Sequence, residues 1–120
     1  MIKRKIIDDT LIYADEAGEV VSVQETEEGN RIILTVKGQL RTDVVHDIQD
    51  ELIALTTVGA NIVVDLAGVT YLSSTAQHMF LNTQRKMDDM GKGTLVLRKL
   101  PAAIYQEFEM TGASELLMIE

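Results

Sequence analysis

The hydrophobic and polar positions change period along the chain, and each change marks an element. After Gly18, Val20-Val21-Ser22-Val23-Gln24 reads as a strand and Glu27-Glu28-Gly29-Asn30 as a turn. Ile32-Ile33-Leu34-Thr35-Val36 then reads as a β-branched second strand, so the two form an antiparallel hairpin. From Thr42 the spacing turns helical. Val44, Val45, Ile48, Leu52 and Leu55 recur on one stripe, with Asp43, Asp47, Asp50 and Glu51 on other faces, until Val58-Gly59. Ile62-Val63-Val64-Asp65-Leu66 is a short apolar run of the kind buried on both faces of a central strand. A second helix is predicted from about Ser74 to Met90, with Ala76, Met79, Phe80, Thr83, Met87 and Met90 on or near one stripe and Gly91 after it. Thr94-Leu95-Val96-Leu97 gives a fourth strand, and Pro101 opens a third helix through Ile104, Tyr105 and Phe108 to Gly112. Ala113 to Ile119 is a final short strand or helix.

The order is hairpin, helix, strand, helix, strand, helix. Strand–helix–strand units make parallel pairs, so the fold class is α/β: a mixed sheet with an N-terminal antiparallel hairpin and helices packed on it. Residues 1–17 lack clean periodicity and mix Lys3, Arg4 and Lys5 with Asp8, Asp9, Asp15 and Glu16. They are expected to be an extension loosely tied to a domain spanning 18–120.

Composition narrows the function. The 120 residues suit one domain, and 46% hydrophobic with 25% charged residues suits a globular one. A net charge of −8 repels phosphate backbones and argues against direct nucleic-acid binding. The absence of cysteine excludes disulfides, thiolate nucleophiles and thiolate-held metals. No apolar stretch reaches the roughly 18 to 20 residues that span a bilayer, and the basic start is followed too soon by acids to resemble an export signal. Membrane insertion is not expected, and the expected address is cytoplasmic.

Three hydroxyls cluster between the central strand and the second helix, at Ser73, Ser74 and Thr75. A helix N-terminus carries unpaired N–H groups and the positive end of the macrodipole, which together favour a phosphate there. Ser74-Thr75-Ala76-Gln77 also fits a capping box, with Ser74 as the cap and Gln77 reaching back. His78 lies one turn after Ser74, but nothing nearby marks the orienting group or oxyanion hole of a nucleophilic dyad. His46 and Asp50 have the spacing of a metal pair and lack further ligands, so no metal or other cofactor is expected. Asp65 ends an apolar strand, as a receiver-domain phosphoacceptor does, with Glu27, Glu28 and Lys99 in the supporting roles. A turn in place of a helix after the first strand argues against that fold. The methionines read as packing. Glu19, Glu25, Glu27 and Glu28, with Asp43, Asp47, Asp50 and Glu51, suit a solvated surface or a basic partner.

These residues resemble the STAS domain of bacterial anti-sigma factor antagonists. Ile33-Leu34-Thr35-Val36-Lys37-Gly38-Gln39-Leu40 is similar to the family's strand ending in Gly-Glu-Leu-Asp. Ile62 to Ala76 is similar to its apolar strand, Asp-Leu-Ser, an aromatic, an apolar residue and Asp-Ser-Ser/Thr-Gly opening a helix. The resemblance runs from about Gly18 to the C-terminus and implies a regulator that works by binding, not an enzyme. It implies phosphorylation at Ser74, beside Ser73 and Thr75, with a partner meeting Ser73, Ser74, Thr75, Ala76 and Gln77. The implied partner is an anti-sigma factor of the histidine-kinase-like ATPase type, which the unphosphorylated antagonist binds. Phosphorylation by that kinase breaks the complex, and a PP2C-type phosphatase restores it. The alternatives are a non-phosphorylated STAS interaction module in a regulatory or transport assembly, or a nucleotide or small-molecule sensor. Ser73 replaces the family's Asp and Ala76 its Gly, and Ala76 would place a methyl where a partner's backbone comes close. Gln39 and Arg41 stand where Glu and Asp are preferred.

Overall fold

The computed structural model describes residues 1–120 and begins with two strands ahead of the expected hairpin, β1 (Lys3–Ile7) and β2 (Thr10–Asp15). There follow β3 (Gly18–Glu28), β4 (Arg31–Leu40), α1 (Thr42–Thr57), β5 (Asn61–Leu72), α2 (Ser74–Met90), β6 (Thr94–Arg98), α3 (Ala102–Thr111), α4 (Ala113–Leu116) and β7 (Met118–Ile119). All seven strands form one sheet in chain order, antiparallel from β1 to β4 and parallel from β4 to β7. The C-terminal segment supplies both a short helix and a short strand.

The core lies on one face of this sheet. Leu34 and Val36 of β4, Ile62, Val64 and Leu66 of β5, and Leu95 and Leu97 of β6 join a single buried cluster. Val44, Val45, Ile48 and Leu52 of α1, Met79, Phe80 and Met87 of α2, and Ile104 and Phe108 of α3 complete it. Ile33 and Val63, at the intervening strand positions, are buried outside that cluster. The helices therefore share one face, because strand side chains alternate. The continuous apolar run of β5 is buried on both sides although helices cover only one.

Three expectations change. Residues 1–17 are not loosely tied: β2 pairs with β3 along Thr10 to Asp15, and Tyr13 is wholly buried in the core. Asp8 and Asp9 close the β1–β2 hairpin with φ of 48° and 64°, a backbone that Asp tolerates in two-residue turns. The central strand is also longer than its apolar run, because pairing with β4 carries β5 on to Leu72 after β6 has ended at Arg98. Of the methionines, Met79 and Met87 are buried and Met90 is half-buried, whereas Met1, Met110 and Met118 are exposed.

Gly38 fixes the approach of β4 to β3. Its φ is +110°, and a Cβ there would stand 2.3 Å from the carbonyl oxygen of Val20. No larger residue fits without moving backbone.

Candidate functional site

The parallel strands β4 and β5 run side by side to Leu40 and Leu72, which are in register, and each turns into a helix after one intervening residue. Arg41 and Ser73 are those residues. The Ser73 N–H donates to the Leu40 carbonyl at 3.0 Å, locking the two turns together. Two helix N-termini thus emerge beside each other at the carboxyl end of the parallel strands, where α/β sheets place their sites.

The α2 terminus is capped by Ser73, not by Ser74. Ser73 is extended (φ −72°, ψ 161°), and its Oγ accepts the N–H of Ala76 at 3.2 Å. Asp and Ser are both strong N-caps, so Ser73 keeps the capping role open to the family's Asp. Gln77 does not reach back to the cap; its Oε1 accepts from Thr111 Oγ1 of α3 at 2.9 Å. The Gln77 N–H donates to the Ser73 carbonyl at 3.1 Å, which leaves the N–H groups of Ser74 and Thr75 unpaired within the protein.

Displacing the cap by one residue frees Ser74. It is the first residue of α2, is exposed, and its hydroxyl makes no hydrogen bond within the protein. Thr75 is half-buried, with its Oγ1 3.4 Å from the Oγ1 of Thr42 at the start of α1. Ser73, Ala76 and Gln77 are 5%, 0% and 7% exposed, so of the five residues expected to meet a partner only Ser74 and Thr75 face outward. The Ala76 methyl belongs to the core cluster, which removes the expected obstruction at the surface. His78 is exposed and makes no hydrogen bond to Ser74.

The neighbouring α1 terminus carries charge. Arg41 donates from Nε and Nη2 to the two carboxylate oxygens of Asp43, at 3.1 and 2.6 Å, and its Nη1 lies 3.1 Å from Asp15 Oδ2 of β2. Hydrogen bonds to Asp43, then to Asp15, push the guanidinium pKa upward. The Arg41 guanidinium holds the Asp43 carboxyl below its ordinary value; for Asp15 the Ala17 N–H does most, with Arg41 adding to it. By contrast, the first turn of α2 holds no acidic residue.

Reading the residues alone did not single out Thr42 or Tyr71 at this end of the sheet. Tyr71 is 52% exposed and sits in register beside Gln39. Past Asp65 every third residue is buried, Leu66, Val69 and Leu72, because two irregularities interrupt the β4–β5 pairing, so strand alternation carried no signal for the exposed Tyr71.

Two further groups can be placed. Asp65 lies within β5, its Oδ2 3.2 Å from Arg98 Nε and 3.8 Å from Lys99 Nζ, and its Oδ1 accepts from the Ala67 N–H. Glu27 and Glu28 pair instead with Ile32 and Arg31, so the receiver-like constellation is not assembled. The acidic segments do converge: Asp9, Glu25, Glu27 and Glu51 line a groove of about 410 Å³ floored by Leu11, Val23 and Leu34. No three His, Asp or Glu side chains cluster in a way that could hold a metal ion.

A one-faced mixed sheet with a capped, hydroxyl-bearing helix start defines a class of α/β interaction domains, and comparison makes it specific. A family model described as "Mlab, STAS domain" matches residues 23–119, and the chain belongs to the STAS domain family. The anti-sigma-B factor antagonist of Bacillus subtilis (strain 168) is 24% identical over 99 residues, covering 82% of this chain and 90% of that protein. Among solved structures, an anti-sigma factor antagonist from Mycobacterium paratuberculosis superposes with a TM-score of 0.71 at 15% identity, covering 88% of each chain. The Bacillus cell fate determinant SpoIIAA in its phosphorylated form gives a TM-score of 0.64 at 15% identity, covering 82% of this chain and 90% of that one. These structural likenesses speak for the fold. No helix is long and apolar enough to cross a membrane.

Proposed function

We propose that this chain is an anti-sigma factor antagonist that works by partner switching, with Ser74 as the switch. One observation carries the reading: Ser73 takes the capping role, so Ser74 presents a free hydroxyl at the first turn of α2 beside two unpaired N–H groups. A kinase can reach such a hydroxyl. A phosphate on it, with roughly −1.5 to −2 of charge, would be stabilised by the helix terminus while disrupting a partner that fits the neutral surface. The Bacillus subtilis relative and the solved phosphorylated form of SpoIIAA support this assignment. The partner is an anti-sigma factor with a histidine-kinase-like ATPase fold, contacted through Ser74, Thr75, Thr42 and Tyr71, and a PP2C-type phosphatase resets the switch. The chain acts by what it binds.

Incubation with that kinase and ATP tests the proposal. Mass spectrometry should find one phosphate on Ser74, absent from Ser74→Ala, and the modified protein should lose its partner. A phosphate on Ser73 or Thr75 would move the switch; intact binding with no phosphate anywhere would leave a plain interaction module. The acidic, apolar-floored groove that runs across β1 to β4 beside α1 favours that second reading, because a basic partner could dock there whatever the state of Ser74.

A further inference from the structure

β1 is the free edge of the sheet, paired only with β2, and all five of its residues are exposed. It precedes the residues that match the family, 23–119, so the STAS core does not explain it. Its end is apolar and uncovered: Ile6 is 66% and Ile7 47% exposed. Edge lysines commonly blunt a strand against pairing. Here, however, charge changes sign along the edge, from Lys3-Arg4-Lys5 through Ile6-Ile7 to Asp8-Asp9. Such an edge repels a parallel copy of itself and complements an antiparallel one.

We propose that β1 pairs antiparallel with β1 of a second copy, joining two seven-stranded sheets into one continuous sheet across a two-fold axis at Ile6. The register follows from the hairpin. Ile7 and Thr10 close a two-residue turn and face each other, so hydrogen bonding alternates and Arg4 and Ile6 turn their N–H and C=O groups away from β2. An axis at Ile6 sets the outward N–H and C=O of Ile6 against those of Ile6 in the other copy. Lys5 then meets Ile7, and Lys3 and Arg4 run on past the Asp8-Asp9 turn of the other copy, which sets basic side chains beside acidic ones. Shifting the axis to Lys5 would instead put Lys5 against its own copy, and like charges directly opposite are destabilising. Lys3, Lys5, Asp8 and Asp9 form no ion pair within the chain, and only Arg4 has a partner, Glu51 at 3.6 Å. Two copies of one surface meeting across a dyad is the common form of closed dimer.

Sedimentation of the full chain at low salt, over a wide concentration range, tests the proposal. Dimers should accumulate as concentration rises. Ile6→Pro removes an outward N–H and no intrachain ladder bond, so it should weaken the dimer about tenfold or more while leaving the thermal melt unchanged. The double variant Lys3→Glu/Lys5→Glu should weaken it comparably, and it decides the matter should Ile6→Pro disturb the fold. Because the chain has no cysteine, Ile6→Cys offers a clean crosslink. Facing residues in a hydrogen-bonded antiparallel pair lie about 5.5 Å apart at Cα, within disulfide reach, so Ile6→Cys should crosslink readily and Lys5→Cys poorly. A monomer at every concentration, a dimer untouched by the charge reversal, or stronger crosslinking at Lys5→Cys would overturn the proposal.

Discussion

The first turns of α1 and α2 occupy equivalent places, each one residue beyond the end of a parallel strand, yet they are built in opposite ways. At α1 the N-cap Arg41 offers no side-chain acceptor, and the turn is held by an ion network of Asp15, Arg41 and Asp43. At α2 the cap is a buried serine, there is no charge, and an exposed hydroxyl stands free. Where charges already pair, an added phosphate would have to break them. Where only a helix dipole and two open N–H groups wait, it meets the attraction of a helix terminus alone. The free hydroxyl of Ser74 thus stands on the terminus without charges of its own, where the proposed switch would need it.

The largest change to this comparison should come from the strand that leads into α1. Gly38→Ala forces both a positive φ and a clash with the Val20 carbonyl, and should cost about 3 kcal/mol or more in urea unfolding. Gly68→Ala, in the strand that leads into α2, meets only Lys37, first its Cγ at 2.8 Å, at a backbone angle open to any residue, and should cost clearly less. Equal losses would mean that the two strand ends are not supported differently. Next in size is Ser74→Asp, which should weaken anti-sigma factor binding about tenfold or more, near 1.4 kcal/mol, in a calorimetric titration. Ser74→Ala should bind as the parent does. Should the aspartate bind equally well, the partner does not read the α2 terminus.

Much of this arrangement was legible in the residues, and what was missed has physical causes. The helical stripes of α1 and α2 are wide and their breakers clear, so both helices fall within a residue or so of expectation. The β1–β2 hairpin escaped notice because its turn is Asp8-Asp9 without glycine, and because Leu11, Ile12 and Tyr13 are apolar in succession and give no alternation. At the site, the hydroxyl cluster was visible but its phase was not. The Ser-x-x-Gln pattern pointed to Ser74 as the cap, while the Leu40 carbonyl, distant in sequence, holds Ser73 extended and starts the helix one residue sooner. Long-range contacts of that kind leave no local signal. The same holds for Thr42, whose relevance rests on a contact with Thr75 across the two helix starts.

Smaller effects test how each terminus is held. Ser73→Ala removes the cap and should cost about 1 kcal/mol in thermal or urea unfolding, with the loss independent of salt. Arg41→Ala should cost less and fade as salt rises, because the ion network it dissolves is only half-buried and is reached by solvent at Asp43. If the arginine loss exceeded the serine loss, the charged terminus would be the better held.

The smallest effect, and the most specific to the α1 terminus, is its response to acid. Asp43 and Asp15 are held below the ordinary carboxylate range in the folded protein. A depressed folded pKa means that the unfolded chain binds protons more readily. The stabilisation is therefore complete above the unfolded value of about 3.9 and is lost as pH falls through the folded values. Between neutral pH and that point the Asp15–Arg41–Asp43 contribution should be constant. Below it, the parent protein should lose stability faster than the double variant Asp15→Asn/Asp43→Asn, so that their unfolding curves converge in acid. The first turn of α2 has no such group, so Ser73→Ala should lie a fixed distance below the parent across the same range. Parallel acid curves for the parent and the double asparagine variant would show that the α1 terminus does not rest on its charges.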